Sequence, residues 1–162
     1  MDDEPPINEA PPGGLELMSP VFMQGGVIPE QYTCRGQNIN PPLNILNPPA
    51  GTLSYTLIMH DPDAPGGDYL HWLLWDIPPV TESILPNSVP VGAIQGYNDA
   101  DTLGYTGPCP PKGTGIHRYI FELYALDRTL DLDRSARRAE VEKTMHGHIL
   151  DETTLTGVVA AD

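Results

Sequence analysis

The stretch 61-DPDAPGGDYLHWLLWDIPP-79 joins two kinds of sequence with opposite tendencies. It begins with proline, glycine and aspartate, the composition of a rigid turn. It continues as a run of tryptophan, leucine and isoleucine suited to a buried strand. The run just before it, 53-LSYTLIMHD-61, has the same apolar character. Two such runs joined by a turn read as an antiparallel hairpin, which brings the two ends of its loop together. Asp61 closes the first strand and His71 opens the second, so both are predicted at one end of the sheet. Both runs are apolar on both faces and are predicted to be interior strands, covered from either side.

Outward from this hairpin the chain keeps the same grammar. Short apolar runs at 15–19, 42–46, 117–127 and 153–160 alternate with Gly, Pro and Asn clusters and read as further strands. The run 117-HRYIFELYALD-127 is the third interior candidate. One helix is predicted over 135–146, with Asp133 or Ser135 as its cap and Gly147 as its stop. Strands and helices do not alternate, which excludes a sheet built from βαβ crossovers. The fold class is therefore mostly β, a large and chiefly antiparallel sheet system with a late helix. Residues 15–162 are expected to form a single domain behind a disordered, acidic, proline-rich lead-in at 1–14.

Charge narrows the partners. The chain of 162 residues carries a formal net charge of −14, and only Lys112 and Lys143 are lysines. Residues 1–14 hold four acids and no base, which leaves 18 acids against 8 bases in the rest. Such a surface repels nucleic acid and anionic membrane, so no nucleic-acid partner and no stable membrane insertion are expected. No apolar run approaches the length of a membrane span, and the acidic N-terminus does not resemble a signal peptide, so the expected location is cytoplasmic. Cys34 and Cys109 lack CxxC spacing, which argues against structural zinc. Two free thiols and a disulfide between them are both open on this reading.

The chemistry gathers at the strand ends. If the strand beginning at His117 aligns with the hairpin, then Asp61, His71 and His117 converge on one mouth. Two imidazoles beside a carboxylate suit an anion pocket, a 2-His-1-carboxylate metal site, or acid–base hydrolysis. Pro62 and Pro65 restrict the loop that carries Asp61 and Asp63, and Asp63 can accept hydrogen bonds from that loop. The segment 104-GYTGPCPPKGTGIHRY-119 offers glycines for close backbone approach, with Pro110 and Pro111 as a stiff rim. Tyr119 shares the face of His117 as a candidate pocket wall, whereas His60 alternates away from Asp61. His146 and His148 flank Gly147 at the helix end, where they suit the last carbonyls better than a site. There is no Walker A, G-x-S-x-G or H-E-x-x-H motif.

Taken together, "DPDAP…HWLLWDIPP", "GPCPPKGTGIHRYIFELYALD" and "MHGHIL" resemble the phosphatidylethanolamine-binding protein family, the group that includes Raf kinase inhibitor protein. The likeness is stronger to its bacterial and archaeal branch, runs from about residue 18 to about residue 159, and includes 28-IPEQYTCRGQNINPPL-43. It implies a central antiparallel sheet packed on a second sheet, a C-terminal helix, and a small pocket for phosphate or a phospholipid headgroup. It places the ligand-binding residues at Asp61, Asp63, His71, Pro110, Pro111, His117 and Tyr119, and makes the Ala64–Pro65 bond a candidate cis peptide. It also marks Cys34 and Cys109 as a candidate disulfide near the pocket. The implied activity is non-enzymatic, without a cofactor: inhibition of a protein kinase or peptidase. A metal-dependent or acid–base hydrolase using Asp61, His71 and His117 and a simple small-molecule carrier are the alternatives, and a homodimer through an edge strand is an open expectation.

Overall fold

The computed structural model describes residues 14–162, and the expected disordered lead-in falls, apart from Gly14, outside them. Strands β3 (Ser54–Asp61), β4 (Tyr69–Ile77), β7 (Ile116–Leu126) and β8 (Ile149–Ala160), with the two-residue β6 (Ile94–Gln95), form a five-stranded sheet in the order β6-β4-β3-β7-β8. Every neighbouring pair in it is antiparallel. A second sheet, ordered β1-β2-β5, is made of β1 (Glu16–Met18), β2 (Leu43–Leu46) and β5 (Ser83–Ile84). Helix α1 (Arg138–Met145) precedes β8. The mostly β architecture with one late helix is as expected; β5 and β6 are too short for a periodic signal to reveal.

The apolar character of β3 and β4 has a direct cause. One face of the large sheet packs on the small one, with Tyr55, Leu57, Met59, Trp72, Leu74 and Phe121 meeting Leu17, Leu43, Ile45 and Ile84. The other face carries Ile58, Leu73 and Trp75 under α1, which contributes Val141 and Met145. Both indoles bury their rings and still satisfy their N–H groups. Trp72 donates to Gln95 Oε1 at 2.9 Å and Trp75 to the Leu132 carbonyl at 3.2 Å. β7 departs from the expectation of two covered faces: its residues alternate between buried and more accessible, and on its second face only Leu126 and the partly buried Tyr124 join the cluster that holds Val141 and Met145 of α1.

Helix α1 begins three residues later than predicted. Asp133 does not cap it; Asp133 Oδ1 instead accepts the Ser135 N–H at 2.9 Å, and its carbonyl accepts that of Ala136 at 2.9 Å, closing a separate turn. Arg137 stands at the N-cap without a side-chain bond, and Gly147, at φ +85°, follows the helix as predicted.

Strand β8 is the outer edge of the large sheet, and residues 24–28 cover half of it. Gly25 N donates to Thr156 O at 2.7 Å, Ile28 N to Val158 O at 3.0 Å, and Val158 N to Gly26 O at 2.9 Å. No helix among the described residues is long and apolar enough to cross a membrane.

Candidate functional site

Pairing brings the predicted residues together in two steps. β3 runs antiparallel to β7, with His60 opposite Ile120, so the end of β3 lies beside the start of β7 and Asp61 approaches His117. The second step is an irregularity. Across β3 and β4, Met59 faces Trp72 but His60 faces Leu70, which leaves His71 as an extra residue in a β-bulge. Strict alternation would send His71 to the opposite face from Trp72. The bulge cancels that alternation and aims the imidazole at the side where Asp61 lies.

The centre of the site is a buried pair. Asp61 and His117 are 3% and 1% exposed, and Asp61 Oδ2 lies 2.7 Å from His117 Nδ1. Asp61 Oδ1 accepts the Asp63 N–H at 2.7 Å, which ties the carboxylate to its own loop. The other ring nitrogen of His117 lies 2.8 Å from Thr114 Oγ1, and that hydroxyl is 2.6 Å from the Pro111 carbonyl. Both nitrogens of His117 are thus engaged by the protein. Tyr119 lies nearly parallel to the His117 ring at 17° and 6.4 Å and meets His71 edge-on at 5.2 Å. Burial, together with the neighbouring Asp61 carboxylate, pushes the Tyr119 hydroxyl pKa well up, so it stays protonated.

His71 is held differently. Its Nδ1 lies 2.6 Å from the Thr106 carbonyl oxygen, and Thr106 N returns a hydrogen bond to the His71 carbonyl at 3.0 Å. Burial holds its pKa below the ordinary histidine value, although the Thr106 carbonyl and nearby carboxylates oppose the shift. The ring is therefore neutral at neutral pH.

These residues open on a cleft of about 610 Å3 whose wall includes Asp61, Pro65, His71, Cys109, Pro110, Pro111, His117 and Tyr119. Asp63 does not line it. Its carboxylate turns outward, accepting Arg118 Nε and Nη2 at 2.9 Å each and the Arg118 backbone N–H at 2.9 Å. Those bonds hold its carboxyl at about 2, below the ordinary carboxylate value, and make Asp63 a latch on the loop. The Ala64–Pro65 bond is not cis; every described peptide bond is trans. The loop reverses instead through Gly67, at φ +109°, whose N–H meets the Ala64 carbonyl at 3.0 Å.

Cys34 and Cys109 are joined in a disulfide with a Cα separation of 5.4 Å. It ties the cleft wall to the turn after residues 30–32. Cys34 N also donates to the Pro108 carbonyl at 3.0 Å, and Gly107 N to Asn38 Oδ1 at 2.8 Å. A Cβ at Gly107 would collide with Asn38 and the Tyr32 carbonyl, so only glycine allows this approach.

Several contributors escaped the sequence reading: Thr106, Thr114, Arg118, and the wall carboxylates Asp68 and Asp99. Arg118 and Thr114 stand inside the quoted "GTGIHRY"; Thr114 bonds within its own segment, to Pro111 and His117, whereas the partner of Arg118, Asp63, lies 55 residues away. Asp68 also lies 2.6 Å from His60 Nδ1 on the far side of the sheet and accepts Arg138 Nη1 at 2.8 Å. His60 Nε2 comes within 3.3 Å of Glu122 Oε1 as an ion pair, without hydrogen-bond geometry.

Comparison with known proteins fits this arrangement. The UPF0098 protein PH1269 of Pyrococcus horikoshii is 46% identical over 158 residues, covering 90% of this chain and 79% of its own. Among solved structures, the phosphatidylethanolamine-binding protein homologue CT736 of Chlamydia trachomatis superposes with a TM-score of 0.88 at 34% identity, covering 93% of this chain and 99% of its own. The carboxypeptidase Y inhibitor, solved with its cognate proteinase, shares the fold alone, at a TM-score of 0.55 and 16% identity over 91% of this chain and 83% of its own. Residues 18–160 match the family described as phosphatidylethanolamine-binding protein, and the chain belongs to that family.

Proposed function

We propose that this protein is a non-enzymatic binder of a small phosphate-like anion and that the occupied cleft regulates a protein partner by inhibition. The observation that carries the reading is the engagement of His117. With Nδ1 on Asp61 and Nε2 on Thr114, its ring has no free nitrogen for a metal and none within reach of a substrate proton. A hydrolase or a 2-His-1-carboxylate centre built on Asp61, His71 and His117 would need that nitrogen. Asp61, bonded to both His117 and the Asp63 N–H, is likewise a structural carboxylate. What is left is a preformed cleft with a stiff proline and cystine rim, which suits holding a ligand. Family membership supports the inhibitory role, with a kinase or a peptidase as the target class.

Calorimetric titration with inorganic phosphate at pH 5.5 tests the pocket, and saturable one-site binding is expected. The partner is tested by pull-down from the native host with wild type and His117→Ala. A partner captured by wild type and lost in the variant supports the reading; identical capture separates pocket from partner.

A further inference from the structure

One ring nitrogen in the cleft is bonded by no protein group among the described residues: Nε2 of His71. Its state follows from geometry. A carbonyl oxygen can only accept, so the 2.6 Å contact with Thr106 O places the imidazole proton on Nδ1. Nε2 is then the titrating nitrogen, and in the neutral ring it presents a lone pair to the ligand. The other groups facing it do not supply the missing positive charge. Asp61 faces it from the end of β3, Asp68 from the β3–β4 loop and Asp99 from the loop after β6, with Tyr69, His117 and Tyr119 from the strands. His60 sits across the sheet, tied to Asp68. Among the described residues, no lysine or arginine lines the cleft.

Asp61 is already tied to His117 and Asp68 to Arg138 and His60, so a fully ionised anion meets no unpaired cation in the lining, only the Asp99 carboxylate and a lone pair beside these paired groups. Resting on the anion-pocket reading above, we propose that the cleft selects inorganic phosphate and phosphomonoesters over phosphodiesters and sulfate, because its ligand must share a proton with His71 Nε2. A phosphomonoester loses its last proton only near pH 6, so close to neutrality it can donate a P–O–H to the lone pair. Its dianion reaches the same state by taking up one proton from solvent. Sulfate and phosphodiesters carry no proton, and their oxygens are too weakly basic to share one well. In the complex the His71 pKa is raised above its value in the empty cleft. Binding then takes up a proton, and affinity falls as pH rises beyond the free values of ligand and histidine. A diester-linked phospholipid headgroup is accordingly a poor occupant at neutral pH, and a free phosphomonoester a good one.

The full-length protein is titrated calorimetrically with methyl phosphate, a monoester whose dianion carries no proton, and with sulfate and dimethyl phosphate, at pH 5.5 and 7.5, each in two buffers of different ionisation enthalpy. At pH 7.5 methyl phosphate is expected to bind at least about tenfold more tightly than the other two, the value of one charge-assisted hydrogen bond. Its proton uptake should approach one, and the gap should narrow at pH 5.5. His71→Gln should bring the three affinities within about threefold; if that variant does not fold, the wild-type proton count decides alone. Equal affinities, or methyl phosphate binding without proton uptake at pH 7.5, overturn the selectivity and leave the anion pocket intact. No binding of any of the three at either pH overturns the pocket reading, and the selectivity with it.

Discussion

Removing the disulfide should weaken the fold far more than it disturbs the cleft. The two cysteines lie 75 residues apart, and cross-linking a denatured chain over that span removes about 4 kcal/mol of loop entropy on the chain-entropy account. In the folded state the same junction is pinned independently. The Cys34 N–H to Pro108 bond, the Gly107 N–H to Asn38 bond and the Tyr105 hydroxyl on the Tyr32 carbonyl at 2.6 Å all survive without it. The double variant Cys34→Ala/Cys109→Ala should therefore lose about 3–4 kcal/mol in urea unfolding, with an increased m-value because the denatured state expands. At roughly 2–4 °C per kcal/mol for a chain of this size, the melting temperature should fall by about 6–16 °C. Phosphate affinity at pH 5.5 should change by less than about threefold. A loss below 1 kcal/mol would show that the cystine strains the fold about as much as it restrains the unfolded chain. Collapse of phosphate binding in a variant that still folds would refute the claim that hydrogen bonds hold the rim.

The remaining predictions concern the charged groups. Asp61→Ala strands the buried His117 imidazole and the Asp63 N–H and should cost about 3–5 kcal/mol in urea unfolding at pH 7, whereas a cost under 1 kcal/mol would remove Asp61 from the centre of the site. Burial opposes charging His60, but its contacts with Glu122 and Asp68 outweigh that and raise its pKa. Its stabilising contribution is therefore complete below about pH 6.5 and lost as pH rises through the folded value. Unfolding free energies of wild type and His60→Gln should differ more at pH 6 than at pH 9, and an equal difference would contradict the ion-pair assignment. In Arg118→Met, the Asp63 carboxyl, followed by NMR titration, should rise from about 2 toward the ordinary value near 3.9; an unmoved titration would mean that Arg118 is not its latch.

How far the sequence reached can be read from particular residues. The hairpin of β3 and β4 was legible because long runs apolar on both faces fit few environments other than a sheet covered on both sides. The convergence of Asp61 with His117 followed from antiparallel pairing once β7 was placed beside β3. His71 reached the site by a route the sequence hides: period-two alternation from Trp72 points it to the wrong face, and only the bulge, fixed by pairing with β3, turns it back. Asp63 shared a motif with Asp61 and read as its partner in the pocket, yet its bonding is decided by Arg118, 55 residues away. The turn at 64–67 needed only glycine, so proline there did not require a cis bond. Thr106 acts through its backbone carbonyl, which no side-chain motif can announce.

The cover on β8 bears on how this protein meets copies of itself. A twelve-residue strand at the margin of a sheet is an invitation for another chain to extend the ladder. Here residues 24–28 already occupy the backbone groups of its C-terminal half, and the N-terminal half carries Asp151 and Glu152. A second molecule joining as a sixth strand would have to peel that segment away and lie against like charges on a surface already strongly acidic. Extension of the ladder past β8 is thus opposed twice, by an edge already occupied and by charge.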